Sequence, residues 1–187
     1  MPSRKINNRK AVRKHKNQGL ILPPSPKSKP FLLPLPTQAA VKNGGFENRT
    51  LAPWDPGPKT PSGEIFVTTV NPHSGLQAAR MQCIGNTSMT LKQRITQLRR
   101  GRNYQLTIWI RRNVISTLGL VILRLANTTI VYPITSIPMT TYGRFTKTIQ
   151  IPGNSGSTSS NLEIQLVSGT LGADITIDDV SITQLNT

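Results

Sequence analysis

Few residues in this 187-residue chain carry side chains suited to chemistry at neutral pH. The histidines are His15 and His73, and Cys83 is the sole cysteine. Histidine is the usual neutral-pH base, but His15 stands among Lys and Arg, and His73 sits in the turn sequence "NPHSG". Cys83 closes a strand-like run, where a thiol packs as a small apolar group. A single cysteine permits neither an internal disulfide nor a cysteine-based metal site. Glycosidic hydrolysis needs two carboxylates facing each other across a sugar. Among the seven acids, Glu163 and Asp174 make one loose pair, and nothing in the sequence sets their separation. A Gly-rich phosphate loop, HExxH and GxSxG are all missing from the sequence. The residues predict a domain that does not catalyse.

Binding chemistry is better represented. A flat aromatic ring can stack on the apolar face of a ligand while nearby amides and charges meet its polar groups. In "NYQLTIWIRR" (103–112) the strand period of two sends Tyr104, Leu106, Ile108 and Ile110 to one side. Gln105, Thr107, Trp109 and Arg111 go to the other. Trp109, Gln105 and Arg111 are therefore the candidate ligand-binding residues, with Tyr132 and Arg124 on segments able to lie alongside. The competing reading makes Trp109 part of a second inner face, since a sandwich needs large apolar residues there too. With nine Phe, Trp and Tyr in all, no cluster of exposed rings is visible.

The elements that must position these residues are strands. Runs at 63–70, 75–83, 88–96, 103–112, 118–126, 129–134, 143–151, 161–168 and 173–185 alternate apolar and polar residues. Gly, Pro, Asn and Ser clusters separate them at the spacing of a β-sandwich. No stretch sustains the 3.6-residue period of a helix. The sequence predicts an all-β, two-sheet jelly-roll sandwich over 43–187.

Charge divides the chain. Residues 1–46 hold ten Lys/Arg and no acid, whereas 47–187 hold thirteen Lys/Arg and all seven acids, a net +6 out of +16. The polycationic arm, 1–18, contains Arg4, Lys5, Arg9, Lys10, Arg13, Lys14 and Lys16. Its Asn- and Gln-rich, aromatic-free composition suits neutralising phosphates or other polyanions rather than reading bases. Residues 19–42 form a linker whose six prolines favour an extended spacer. Apolar stretches here are cut by proline before reaching the ~7–15 residues of a secretion leader, so neither a leader nor a membrane span is expected. Arg99, Arg100 and Arg102 in "LRRGRNY" add a second basic cluster, read as a solvated hairpin tip or an extension of an anionic contact.

Four pieces in order carry a resemblance: "NGGFE" (43–47) with "PW" (53–54), "HSGLQAARM" (73–81), "LRRGRNYQLTIWIRR" (98–112), and "YGRFTKTIQI" (142–151) leading to "ITIDDVSI" (175–182). Together they resemble the jelly-roll carbohydrate-binding modules joined to bacterial glycosidases. They are also similar to the N-terminal domains of Gram-positive surface repeat proteins. The resemblance runs from Asn43 to about Ile182. It implies a structural Ca²⁺ between the acid of "NGGFE" and one of the "DD" pair, here Glu47 and Asp178, with Asp179 as a weaker choice. Two carboxylates at one corner repel unless a hard cation neutralises them, and Ca²⁺ takes six to eight oxygens. Without an ion, Glu47 caps the Gly44–Gly45 turn. The resemblance also assigns Trp54 to packing under a loop.

The function expected is thus a non-catalytic carbohydrate-binding or surface-attachment module tethered by a cationic arm, with a glycan or cell-wall polymer as partner. An alternative follows from layout: arm, proline hinge and jelly roll also describe a self-assembling coat protein whose arm binds nucleic acid.

Overall fold

The computed structural model describes residues 40–115 and 118–185; the arm and most of the proline-rich linker lie outside them. Among the described residues the chain forms nine strands. They are β1 (Gly63–Thr68), β2 (Ala78–Cys83), β3 (Ser88–Arg99), β4 (Asn103–Arg112), β5 (Gly119–Leu125), β6 (Thr128–Pro133), β7 (Gly143–Gln150), β8 (Ser157–Ser168) and β9 (Ala173–Gln184). A 3₁₀ turn, Ile134–Ser136, follows β6. The strands pair antiparallel into a five-stranded sheet, order β1-β2-β9-β4-β7, and a four-stranded sheet, order β3-β8-β5-β6. This is the two-sheet sandwich read from the alternation.

One face of each strand is apolar because side chains alternate across the pleat. Tyr104, Leu106, Ile108 and Ile110 of β4 and Ile175, Ile177, Val180 and Ile182 of β9 are buried in the core. Leu91 and Ile95 of β3, Val121, Leu123 and Leu125 of β5, and Leu162, Ile164 and Leu166 of β8 belong to the same core. Each such side chain contributes roughly 1.5–3 kcal/mol when fully removed from water. Cys83 is buried with them, its thiol directed at the Leu166 carbonyl, and burial pushes its pKa up. Arg99 ends β3, and Arg100 and Arg102 lie in the turn that joins it to β4 of the other sheet. That turn is a corner between sheets and not a hairpin tip.

The entry segment is stitched to both sheets. Gln93 of β3, itself buried, accepts a hydrogen bond from the Lys42 backbone N–H and donates one to the Lys42 carbonyl. Trp54 is buried against Phe46, with ring centroids 5.8 Å apart, and donates its indole N–H to the Asn43 carbonyl. Trp54 is therefore structural, as the resemblance implies. Val180 N–H donates to the Gly44 carbonyl, which docks the first turn on β9.

β9 carries one extra residue where it passes β4: Thr107 lies opposite Ser181, but Trp109 lies opposite Asp178. The inserted residue, Asp179, has φ +45°. Such a bulge re-aims side chains locally. Here it brings two consecutive acids of the central strand, Asp178 and Asp179, to a corner formed where the entry turn and the 73–77 turn meet β9.

Candidate functional site

The outer face of the five-stranded sheet holds a shallow cavity of about 570 Å³. Its walls include Gln105, Thr107 and Trp109 from β4, Ser181 and Thr183 from β9, and Arg144 from β7. Registry explains the grouping. Gln105 pairs with Thr183 and Thr107 with Ser181, while Trp109 sits directly opposite Arg144 across the β4–β7 ladder. Residues opposite each other in an antiparallel pair project to the same face, about 4.5–5.5 Å apart at Cβ.

Trp109 is half-buried and lies on this outer face rather than in the core. His73 stacks on it, with centroids 3.8 Å apart and planes inclined by 19°. Tyr142 closes on His73 edge-on at 5.2 Å. His73 Nδ1 is 2.6 Å from Asp179 Oδ2, and Ser74 donates its hydroxyl to Asp179 Oδ1. The indole is thus covered on one side and borders the cavity elsewhere. Burial, followed by the Asp178 charge, pushes the Tyr142 phenol up to about 12.

Beyond Trp109 the same face continues into a polar network. Arg80 grips Asp174 through Nε and Nη2, the shorter contact being 2.5 Å. Gln82 and Asn113 also donate to Asp174. Arg111 donates to Asn113 Oδ1 and lies 5.6 Å from the Tyr142 ring centroid, while its Nε is buried without a hydrogen-bond partner.

The expected ligand-binding residues are therefore divided. Trp109, Gln105 and Arg111 share one face, as strand alternation requires. Tyr132 and Arg124 belong to the other sheet, a correction to the expectation that they lie alongside. Tyr132 stands opposite Val121, whose side chain is in the core, and it packs inward on Phe145 at 4.7 Å. Arg124 projects from the outer surface of the four-stranded sheet, bonded to Gln165 and 3.8 Å from Glu163. Arg144 and His73 were missed as site residues. Nothing local marks them, because their relation to Trp109 arises only from strand pairing and from the fold of the 71–77 turn. The loose acid pair is also separated: Glu163 lies on β8 and Asp174 on β9, in different sheets, each with its own arginine.

At the corner, Glu47 and Asp178 both face the 73–77 turn. Glu47 Oε1 accepts the N–H groups of Leu76 and Gln77. Asp178 Oδ2 accepts those of His73 and Ser74, and Oδ1 accepts that of Asp179. Asp178 is fully buried, and burial pushes its carboxyl up to about 6 against the lowering effect of these N–H groups. Among the described residues, neither Glu47 nor Asp178 is ion-paired with Lys or Arg, and no three His, Cys, Asp or Glu side chains converge as a metal cage. The arginines and lysines of the arm expected to bind polyanions lie outside the described residues.

The profile of a family described as "Carbohydrate binding domain" matches residues 38–171. The match stops before β9, so it does not include Asp178. No curated protein sequence matches the chain. Among solved structures, TmCBM61 in complex with β-1,4-galactotriose is similar at 18% identity, with 80% of this chain and 100% of that chain covered and a TM-score of 0.56. A cyclase from Fischerella sp. TAU is similar at 20% identity, with 78% and 98% covered and a TM-score of 0.56. The enzymatically active domain of bacteriophage CBA120 tailspike protein 4 is similar at 17% identity and a TM-score of 0.58; 78% of this chain matches 21% of that one. At such identities the structural likeness establishes the fold alone.

Proposed function

The chain belongs to the carbohydrate binding domain family, and from that premise we propose that it is a non-catalytic glycan-binding module whose binding surface is the outer face of the five-stranded sheet. The observation carrying this reading is Trp109 bordering a cavity whose other walls are the amide of Gln105 and the hydroxyls of Thr107, Ser181 and Thr183. The indole offers an apolar surface to the C–H face of a sugar ring. Amides and hydroxyls both donate and accept, which is what sugar hydroxyls need. The stack with His73 holds the ring before any ligand arrives, which reduces the ordering cost of binding.

Catalysis has little support on this face. Of the cavity-lining side chains only Asp179 is a carboxylate, and it is committed to His73 and Ser74. A glycosidase pair would need a second acid roughly 5–9.5 Å away across the sugar.

The test is affinity electrophoresis and calorimetry with a panel of soluble glycans, using the full chain and Trp109→Ala. A glycan should bind, and Trp109→Ala, still folded by circular dichroism, should weaken it by about tenfold or more. Tyr132→Phe should leave affinity unaltered. Binding indifferent to Trp109, or cleavage of the glycan, would sink the reading.

A structural Ca²⁺ at the corner is part of the same proposal. The donors fit in kind: two carboxylates bound to the same 73–77 turn, one of them wholly buried, with no Lys or Arg paired to either among the described residues. Glu47 and Asp178 would hold the ion, with backbone carbonyls completing the shell. When bound it would neutralise the corner and pin the entry turn to β9. The arm, in this reading, tethers the module to a polyanionic surface.

A further inference from the structure

The sheet-face reading leaves the class of sugar open, and the distribution of charge on that face narrows it. This inference rests on that reading. We propose that the glycan is acidic, and that Arg144 binds its carboxylate or sulfate while the sugar ring packs against Trp109.

The charge inventory of the domain is closed. All seven acids of the chain lie among the described residues. Asp55 pairs with Lys92, Glu64 with Lys59, Glu163 with Arg124 and Asp174 with Arg80, while Asp179 is hydrogen-bonded to His73. Glu47 and Asp178 are engaged by backbone N–H groups of the 73–77 turn. None of the seven forms an ion pair with Arg144 or Arg111.

Position distinguishes Arg144 from an ordinary solvated arginine. It is exposed, makes no side-chain hydrogen bond among the described residues, stands directly across from Trp109, and lines the same cavity. Arg111 lies two residues along β4 from Trp109, with a buried Nε that has no partner. Arg144 thus sets a donor-only group beside the indole, while Arg111 lines a neighbouring cavity with Arg80, Asn113 and Thr176. A guanidinium carries five N–H donors in a planar fork and no acceptor, and its best complement is a planar or tetrahedral oxyanion bound through two parallel hydrogen bonds. A neutral sugar hydroxyl uses one such donor at a time. Asp179, the carboxylate in the cavity wall, is hydrogen-bonded to His73 and Ser74 and makes no ion pair with Arg144.

The experiment uses the full chain at physiological salt and short defined oligosaccharides: uronate series (galacturonate, mannuronate, glucuronate-containing), sulfated series, and the carboxyl-reduced or desulfated form of each. One acidic series should bind at least about tenfold more tightly than its neutral counterpart, the size expected of a charge-assisted hydrogen-bond pair. Arg144→Gln should remove that preference, Arg144→Lys should retain part of it, and Trp109→Ala should abolish binding of both forms. Preference for uronate or for sulfate identifies the source of the charge. Trp109-dependent binding with no acidic preference and no effect of Arg144→Gln overturns this inference and leaves the sheet-face reading standing. Loss of any Trp109 dependence overturns that reading itself. Equal binding to single-stranded RNA and every acidic oligosaccharide, insensitive to Arg144 and Trp109, assigns the attraction to the chain's net charge and overturns both. Arg144 is exposed on an edge strand, so its variants should fold as the parent does.

Discussion

His73 lies face to face with Trp109 at 3.8 Å while its Nδ1 sits 2.6 Å from Asp179. One turn residue thereby links the ring that borders the cavity to the bulge in β9. Removing it should free the indole without touching the sheet. In His73→Ala, the Trp109 contribution to fluorescence should shift to the red, and glycan affinity should fall about 3- to 10-fold, consistent with roughly 0.5–1.5 kcal/mol for a stacked pair. Unmoved emission together with unmoved affinity would show that His73 only fills space.

The contact between Gly44 and β9 should tolerate no side chain. A Cβ at Gly44 would overlap the Val180 carbonyl oxygen, which is backbone and cannot swing aside. Gly44→Ala should cost more than about 2 kcal/mol in urea unfolding, in the range of overpacked cores. Gly57 gives the contrast: nothing lies within 4 Å of its Cβ position, and its φ of +67° is the source of strain. Gly57→Ala should cost only about 1 kcal/mol. Equal losses in the two variants would contradict the docking of the first turn on β9.

Calcium should raise the thermal midpoint of the full chain, and chelation should lower it. An ion at 100 times its dissociation constant adds about 2.7 kcal/mol to stability, worth several degrees in a domain of this size. Asp178→Asn and Glu47→Gln should each abolish the response. No calcium-dependent shift in the parent protein would remove the ion from the description of the corner.

The arm is best tested by salt. If its seven Lys/Arg contact phosphates, the log–log slope of affinity for duplex DNA should approach about −6 and collapse when they are changed to Gln. Large particles containing nucleic acid, in light scattering with absorbance at 260 and 280 nm, would favour the coat-protein layout. A small species free of nucleic acid would exclude it.

Strand alternation is a local property, so it was legible residue by residue. Tyr104, Leu106, Ile108 and Ile110 had to face one way and Gln105, Trp109 and Arg111 the other, whatever their neighbours. The turn-rich punctuation and the "NGGFE" and "IDDV" pieces likewise announced the sandwich and its family. Whether the second face of β4 was core or surface was not legible, because nothing in a strand's own period says what covers its other side. Strand order is decided by pairings between segments far apart in the chain, and it alone places β9 between β2 and β4 and Arg144 opposite Trp109. It also sends Tyr132 and Arg124 to the other sheet, although their segments could have lain alongside β4. The bulge at Asp179 and the stack of His73 depend on how the 73–77 turn settles on β9. The sequence by itself determined the inward and outward faces of each strand, through a two-residue period that needs no partner. The tertiary structure decided which outward residues meet, since only long-range pairing makes neighbours of residues dozens of positions apart.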